Sequence, residues 1–312
     1  MTSLEFYKEI LTSSRDDVTR QQLVSNGTLL HVLADLRFAW RTFEIRVLGE
    51  ERSSFEAPES SPWLQNQEWT GDFVTDLVVH IVRCVRNLCA SRVGQDIVRA
   101  ENALPLLVDI AVRCCDHLQT VPPVAGVVGA CLQALGNSVS SCLENQASVW
   151  DAAMPNLFWV VLGENEHVTA AHKEFACMLL YNCCCHDSSR REQLLQPVQD
   201  QPARKTAKHP LCAALRASMD SKMAPVERIE EWALLLLAKY LQDGKLAVLL
   251  NLISDDPNTL LAVLLLLETT ISSAAPSQCS PGPAPGAATD APATDAAVGA
   301  GAGAVAGAVV SA

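Results

Sequence analysis

Cysteine and histidine are the residues of this sequence whose types and spacing could bind a metal ion. Twelve cysteines occur among the 312 residues. Three clusters bring cysteine close to histidine in the sequence: His80 with Cys84, Cys114 and Cys115 with His117, and Cys183, Cys184 and Cys185 with His186. None forms repeated C-x-x-C pairs at the spacing of a zinc finger, and adjacent cysteines on a helix point about 100° apart. We therefore expect no metal site and interpret most cysteines as small apolar residues of a reduced core.

Motifs for catalysis and for phosphate binding are missing from the sequence. There is no G-x-S-x-G elbow and no local signature of a cysteine protease. The GVVG segment at 126–129 matches neither G-x-G-x-x-G nor G-x-x-x-x-G-K. We therefore expect a protein that is not an enzyme and that uses no cofactor. An enzymatic function would require a deep pocket that gathers His and Cys side chains from different helices.

The charge pattern bears on the kind of partner. The formal net charge is −12, spread along the chain without a block of Lys and Arg. Because nucleic-acid binding depends on clustered cations that replace counterions, we expect no nucleic-acid partner. A net acidic protein favours encounters with basic segments of other proteins. The expected partners are therefore other proteins, with basic segments as the favoured contacts.

No segment of the sequence predicts a membrane span, although 49% of the residues are apolar. The longest apolar run covers the eight residues 260–267, whereas a spanning helix needs about 20. The N-terminal residues MTSLEFYKEI do not combine a basic region with an apolar run, so we expect no secretory signal. These features predict a cytoplasmic protein without membrane insertion.

One stretch of the chain repeats itself at an interval of fifty residues. Residues 77–105 read LVVHIVRCVRNLCASRVGQDIVRAENALP, and residues 127–155 read VVGACLQALGNSVSSCLENQASVWDAAMP. When the two copies are aligned, Asn87 falls on Asn137, and Pro105 falls on the proline that ends the second copy. We interpret each copy as an inner helix, a short break and a second helix that closes on the proline. A repeat of this length predicts a stack of helical units.

Polar residues follow one face of each predicted inner helix. Steps of three and four place His80, Arg83 and Asn87 on one stripe, with apolar residues on both flanks. In the third copy, AAHKEFACMLLYNCCCHDSSRREQLL, Asn182 takes the same position. A helix that exposes only one narrow polar stripe to solvent packs against neighbouring helices on both flanks, which is typical of the inner helix of a solenoid. The predicted partner-binding groove consists of His80, Arg83, Asn87, Gln133, Asn137, Met178 and Asn182.

The recurring asparagines Asn87, Asn137 and Asn182 have two interpretations. Asparagine in the middle of a helix costs some helix propensity, so its recurrence at one helical phase indicates a shared task. Either the amides hold the backbone of an extended partner, or each amide bonds to a loop carbonyl within its own unit. The sequence leaves both open.

Three long helical stretches carry a resemblance to a known family. They read CVRNLCASRVGQDIVRAENALPLLVDI, LQALGNSVSSCLENQASVWDAAMPNLF and WALLLLAKYLQDGKLAVLLNLISDDPNTLLAVLLLLETTIS. They resemble armadillo repeats and, more closely, the ataxin-10 family. The resemblance extends from about residue 75 to residue 272. The resemblance implies a non-enzymatic cytosolic protein associated with cytokinesis, neurite outgrowth, neuronal survival and self-association.

The sequence departs from two related patterns. The ataxin-10 family normally ends in a further helical domain, whereas this sequence ends in a Pro/Ala/Gly-rich segment, so the self-association attributed to that domain stays open for this chain. Nuclear-import receptors with armadillo repeats place Trp one turn before the groove asparagine. Arg83, Gln133 and Met178 occupy those positions here, so we do not expect a nuclear-import receptor.

Together these features predict an all-α, right-handed armadillo/HEAT-like solenoid of about four helical repeats. Residues 1–48 form an atypical N-terminal repeat or cap, 49–72 an acidic Ser/Pro loop, 73–272 the armadillo-like repeats, and 273–312 a disordered Pro/Ala/Gly tail. The expected function is that of an interaction scaffold or adaptor of the ataxin-10 type. The alternative is a structural subunit that packs permanently on another chain through its hydrophobic C-terminal helices at 246–271.

Overall fold

The computed structural model describes residues 3–50, 68–163, 165–196, 209–220, 228–254 and 258–265. These residues form helices and the turns between them, and no strand occurs among them. In chain order the helices are α1 (Ser3–Ser13), α2 (Asp17–Ser25), α3 (Thr28–Arg46), α4 (Gly71–Leu88), α5 (Arg92–Ala100), α6 (Ala103–Asp116), α7 (Val124–Val139), α8 (Leu143–Ala153), α9 (Asn156–Leu162), α10 (Ala170–Cys184), α11 (Ser188–Leu194), α12 (Pro210–Asp220), α13 (Arg228–Gln242) and α14 (Leu246–Ser254). A further helical segment covers residues 258–265. The prediction of an all-α fold is confirmed for the described residues.

The helices contact one another in a recurring order. We refer to α4, α7, α10 and α13 as the inner helices, because each packs on the next one: α4 on α7, α7 on α10, and α10 on α13. α1 also packs on α4. Between successive inner helices lie two further helices, such as α5 and α6 before α7 or α8 and α9 before α10. The fifty-residue repeat in the sequence is therefore the spacing between equivalent positions of α4 and α7.

The inner helix α4 shows how the apolar pattern determines the packing. Its side chains on two flanks, including Leu77, Ile81 and Leu88, are fully buried, while Arg83 is exposed and Asn87 is half-buried. Burial of each large aliphatic side chain contributes roughly 1.5–3 kcal/mol relative to its exposure to water. One narrow polar stripe on an otherwise buried helix therefore agrees with the sequence interpretation.

Short polar side chains begin several of these helices. Thr70 accepts a hydrogen bond from the backbone N–H of Phe73 at the start of α4, and Ser91 accepts one from the N–H of Gly94 at the start of α5. Each bond satisfies a backbone donor that has no partner within its helix. The break between α4 and α5 is therefore encoded locally by Ser91.

Two boundaries differ from the sequence interpretation. The helix predicted to close on Pro105 ends earlier, because α5 stops at Ala100 and Pro105 lies in the first turn of α6. Proline is tolerated there because the first backbone N–H groups of a helix have no partner within it. In addition, α4 begins at Gly71, inside the segment 49–72 that was predicted as a loop. Most of that loop and all of the predicted tail 273–312 lie outside the described residues.

Candidate partner-binding groove

A groove of about 440 Å³ lies where three inner helices meet, and we call it the inner groove. Its floor is α7, which presents small residues there. Arg83, Arg86 and Asn87 from α4 line one side, and residues near the start of α10 line the other. The complete lining is Leu11, Arg15, Arg83, Arg86, Asn87, Ala125, Gly126, Gly129, Ala130, Gln133, Ala171, His172 and Phe175. The small side chains of α7 leave the space that the flanking helices enclose.

Arg86 is held in the groove by two neutral amides. Its Nη1 donates to Oε1 of Gln133 at 2.6 Å, and its Nε and Nη2 donate to Oδ1 of Asn87 at 3.0 and 2.9 Å. Since Gln133 belongs to α7, the guanidinium also connects two inner helices. The other N–H groups of this half-buried cation have no hydrogen bond to a described residue.

The cationic side chains of the groove have no carboxylate partner. Among the described residues, no Asp or Glu oxygen forms an ion pair with Arg15, Arg83 or Arg86. The acidic neighbours of Arg15 in sequence are engaged elsewhere, because Asp16 caps α2 and Asp17 pairs with Arg20. Burial lowers the pKa of the Arg86 guanidinium below its ordinary value, and the positive charges of Arg83 and Arg15 lower it further. Positive charge is thus concentrated in one groove of a chain whose net charge is −12.

Two of the recurring asparagines hydrogen-bond across helices. Asn87 Nδ2 donates to the Ser14 hydroxyl at 3.0 Å and to the Leu11 carbonyl at 3.4 Å, which ties α4 to the end of α1. Asn137 Nδ2 donates to the Arg86 carbonyl at 2.8 Å, which ties α7 to α4. Both amides therefore link neighbouring helices, and we call these inter-helix bonds brackets. Each bond runs to the preceding inner helix, to α1 or to the residue that follows α1, and none runs to a loop of the same unit.

His172 closes the groove on the side of α10. Its Nε2 lies 3.0 Å from the Ala125 carbonyl, and its Nδ1 lies 3.4 Å from the backbone N–H of Thr169. The bond to the carbonyl requires a proton on Nε2, and the bond from Thr169 requires a lone pair on Nδ1, so the geometry selects the neutral ring. Burial lowers the pKa of His172, although the hydrogen bond to Ala125 opposes this change.

Searches against protein-family models, curated proteins and solved structures find no match to this chain. A separate property of the described helices is that none is both long enough and apolar enough to cross a membrane. The function is therefore inferred from the groove and from the way the helices pack.

The inner groove contains three of the seven residues that the sequence predicted, namely Arg83, Asn87 and Gln133. The structure places the other four elsewhere. His80 Nδ1 lies 2.7 Å from the Asp76 carbonyl of its own helix, and Asn137 borders a separate depression of about 350 Å³.

The remaining two predicted residues belong to α10 and do not line the inner groove. The terminal methyl group of Met178 lies against Gly136 of α7, close enough that a Cβ atom at Gly136 would approach it to 2.4 Å. The side chain of Asn182 is half-buried and has no hydrogen bond to a described residue. The third recurring asparagine therefore does not repeat the bracket made by the first two.

Sequence reasoning missed Arg15, Arg86, His172 and Phe175 as groove residues. Arg86 follows Arg83 at a spacing of three and directly precedes Asn87, so a wider stripe on α4 would have included it. Arg15 lies in the turn after α1, and only the packing of α1 on α4 brings it to the groove. No periodic signal in the sequence marks that position.

A larger cavity of about 920 Å³ lies between α3 and α6, and its charges are internally paired. Arg113 forms ion pairs with Glu44 and Glu50, and its guanidinium stacks over the Trp40 ring with Cζ 5.5 Å from the ring centroid. At the rim, Arg37 pairs with Glu101 at 3.4 Å. This cavity therefore differs from the inner groove, where the arginines have no carboxylate partner among the described residues.

The described cysteines are free thiols, and all but Cys185 are buried. Burial raises the pKa of Cys115 and of Cys183 to about 12, which keeps these thiols protonated and poorly nucleophilic at neutral pH. Within the described residues, no group of three or more His, Cys, Asp or Glu side chains is arranged to hold a metal ion. The buried cysteines of the three sequence clusters pack in the core, whereas His186 is exposed.

Proposed function

We propose that this chain is a non-enzymatic scaffold or adaptor, built as a right-handed armadillo-like solenoid of about four helical repeats. In this proposal the inner groove holds an extended segment of another protein. The observation that carries the proposal is the convergence of side chains from α4, α7 and α10 on one groove at the junction of successive inner helices. A groove that crosses several repeats suits an extended chain, because neighbouring units can contact successive residues of that chain.

The resemblance to the ataxin-10 family extends this proposal to a cellular setting. It favours a cytoplasmic protein with roles in cytokinesis, neurite outgrowth and neuronal survival. The buried free thiols of the described residues are consistent with a reducing compartment. Cellular tests of these roles depend on first establishing that the groove binds a partner.

A selection with displayed random peptides tests whether the groove is the binding site. Gly126 is exposed in the groove, and a Cβ atom there would contact only Val79 Cγ2, at 3.6 Å, so Gly126→Trp fills the groove at little cost to packing. Gly71→Trp is the matched control, because Gly71 also lies in the first turn of an inner helix and its nearest neighbour is Val47 Cγ2 at 3.9 Å.

We expect the selected peptides to bind the wild-type chain and Gly71→Trp with similar affinity and to lose binding to Gly126→Trp. Selected peptides that bind all three proteins equally would place the binding surface elsewhere and contradict the proposal. Far-UV circular dichroism of the three proteins establishes that the helices are retained.

A structural subunit remains the second candidate because of the exposed apolar residues near the C-terminal end of the described chain. Six large aliphatic side chains of α14 and of residues 258–265 are 42–56% exposed: Leu246, Val248, Leu250, Leu260, Leu261 and Leu264. A permanent partner, including a second copy, would bury such side chains. Light scattering of the full chain across a dilution series tests this candidate for self-assembly. A monomer at every concentration argues against a homo-oligomer, and a dimer that Leu250→Glu dissociates supports it.

A further inference from the structure

The inner groove carries a half-buried cation whose direct partners are neutral. Asn87 and Gln133 supply three hydrogen bonds to the Arg86 guanidinium through amide oxygens, and amides bring no compensating negative charge. Burial without a counter-ion is costly for a charged group. An anion that reaches the free N–H groups of Arg86 would supply the missing charge and the missing hydrogen bonds together.

Two more cations flank this position. Arg15 and Arg83 are exposed and line the same groove, and neither pairs with a described carboxylate. Several arginines elsewhere in the described chain do have such partners, since Arg92 pairs with Glu144 at 3.2 Å and Arg191 pairs with Asp243 at 2.6 Å. The groove is distinguished by bringing together three arginines that have no carboxylate partner among the described residues.

From this arrangement we infer that the inner groove selects an acidic polypeptide segment, whose Asp or Glu carboxylates pair with Arg15, Arg83 and Arg86. The inference rests on the proposed function, because it specifies the chemistry of the segment that the groove holds. It reverses the expectation of basic partners, which followed from the net charge of the whole chain. Charges at the contact determine pairing, whereas the net charge of −12 affects mainly the encounter.

The surroundings of the groove favour a peptide over a long polyanion. Nucleic acid carries charge along its entire length, so beyond the groove it would meet a chain with a net charge of −12. An acidic peptide can place a few carboxylates on the arginines and apolar atoms over the half-buried Phe175 and the small residues of α7. The groove thus combines a cationic rim with a shallow apolar floor, as peptide recognition requires.

Fluorescence anisotropy with three labelled peptides tests the inference on the full chain. In the Glu peptide, Glu alternates with Gly. In the Gln peptide and the Lys peptide, every Glu is replaced by Gln or by Lys, respectively. We expect the Glu peptide to bind at least about tenfold more tightly than the Gln peptide, and its affinity to fall between about 50 and 300 mM NaCl. A labelled oligothymidylate of equal charge is the fourth probe, and it should bind more weakly than the Glu peptide.

Charge reversal assigns the effect to the groove. Arg15→Glu combined with Arg83→Glu changes two exposed residues and should weaken Glu-peptide binding at least about tenfold and strengthen Lys-peptide binding. Arg46→Glu combined with Arg92→Glu is a control with the same change in net charge at two exposed residues outside the groove, and it should leave the affinity nearly unchanged. Arg86→Gln tests the half-buried cation separately and should weaken binding of the Glu peptide without changing that of the Gln peptide.

The results separate two kinds of failure. If neutral or basic peptides bind best and Gly126→Trp abolishes their binding, the groove holds peptides but the acidic preference is wrong. If the control pair weakens Glu-peptide binding as much as the groove pair, or if oligothymidylate binds more tightly, the inference is also overturned. If none of the peptides binds and displayed peptides do not select the groove, the proposed function fails together with the inference.

Discussion

The Nδ2 atom of Asn137 lies 2.8 Å from the main-chain carbonyl oxygen of Arg86, to which it donates a hydrogen bond. The bond joins α7 to α4 at the residue whose guanidinium lies in the inner groove. Gln133, one helical turn before Asn137, holds the same guanidinium at 2.6 Å. The two α7 residues therefore fix the backbone and the side chain of Arg86 at the same time, so the packing of the inner helices also positions the groove.

Asn137→Ala should destabilise the protein by about 1–2 kcal/mol, because it removes this bond and leaves a partly buried carbonyl without its donor. Asn182→Ala is the matched control, since Asn182 recurs at the same helical phase but has no side-chain hydrogen bond to a described residue. The control should change the free energy of unfolding by no more than about 0.5 kcal/mol. Urea unfolding followed by circular dichroism measures both. Equal losses in the two variants would contradict the bracket assigned to Asn137.

Gly94→Ala should be among the most disruptive small substitutions in the chain. A Cβ atom at Gly94 would lie 2.1 Å from the Leu88 carbonyl oxygen, and a backbone atom cannot rotate away. We expect a loss of at least about 3 kcal/mol from this steric conflict. The contact exists because the turn from α4 to α5 brings the two helix ends together.

Gly136→Ala is the comparison for Gly94→Ala, because both glycines lie within helices. The new Cβ atom at Gly136 would meet the Met178 methyl group at 2.4 Å, but this is the far end of a flexible side chain. Rotation of Met178 and the higher helix propensity of alanine should keep the change within about 1 kcal/mol. Thermal unfolding of both variants provides the measurement, and similar losses of stability would contradict the proposed difference between the two contacts.

The fold was more predictable from the sequence than the groove was. Periodicity identified α4 with its polar stripe, since helical spacing determines which residues share a face. It could not identify Arg86 as a groove residue, because its position depends on Gln133, which is 47 residues away in the sequence. The asparagine pattern predicted a shared task, yet Asn87 and Asn137 form brackets while Asn182 has no such bond to a described residue. Bonds between units depend on neighbouring helices, which a repeat pattern does not specify.

His172 should make stability depend on pH near neutrality. Its folded pKa is lowered from 6.5, chiefly by burial, so the unfolded chain binds more protons as the pH falls below about 6.5. Protonation of Nδ1 would also break the bond from the Thr169 N–H. The stabilising effect of neutral His172 is thus complete above about pH 6.5 and decreases as the pH is lowered toward the folded pKa.

His172→Gln is the matched variant for this pH test. It does not titrate, and it can retain the capping box that joins His172 to Thr169 at the start of α10. The difference in free energy of unfolding between the wild type and His172→Gln should shift against the wild type from pH 7.5 to about pH 5.5. A difference that stays constant over this range would show that His172 does not titrate differently on folding.

The ion pair of Arg191 with Asp243 should stabilise the far end of the described helices. Arg191 is almost fully buried, and its Nε and Nη2 donate to the Asp243 carboxylate at 2.6 and 2.9 Å. The guanidinium also donates to the Cys184 carbonyl at 2.5 Å, while the Tyr240 hydroxyl donates to the Arg191 carbonyl at 2.7 Å. Asp243→Asn leaves this buried cation without its counter-ion and should cost about 2 kcal/mol at pH 7.

Lowering the pH should destabilise the wild-type fold through the same ion pair of Arg191 with Asp243. The hydrogen bonds from Arg191 lower the pKa of Asp243 below 3.8, so the pair stabilises the fold above that pH and the contribution is lost as the pH falls through the lowered pKa. Asp243→Asn should therefore lose its disadvantage relative to the wild type at the lowest pH values. Glu192→Gln is the control, because the neighbouring pair of Glu192 with Lys245 is exposed to solvent and should contribute little to stability. Urea unfolding from pH 7 to about pH 2 measures all three proteins, and equal losses in the two variants at pH 7 would contradict the stabilising role of the buried pair.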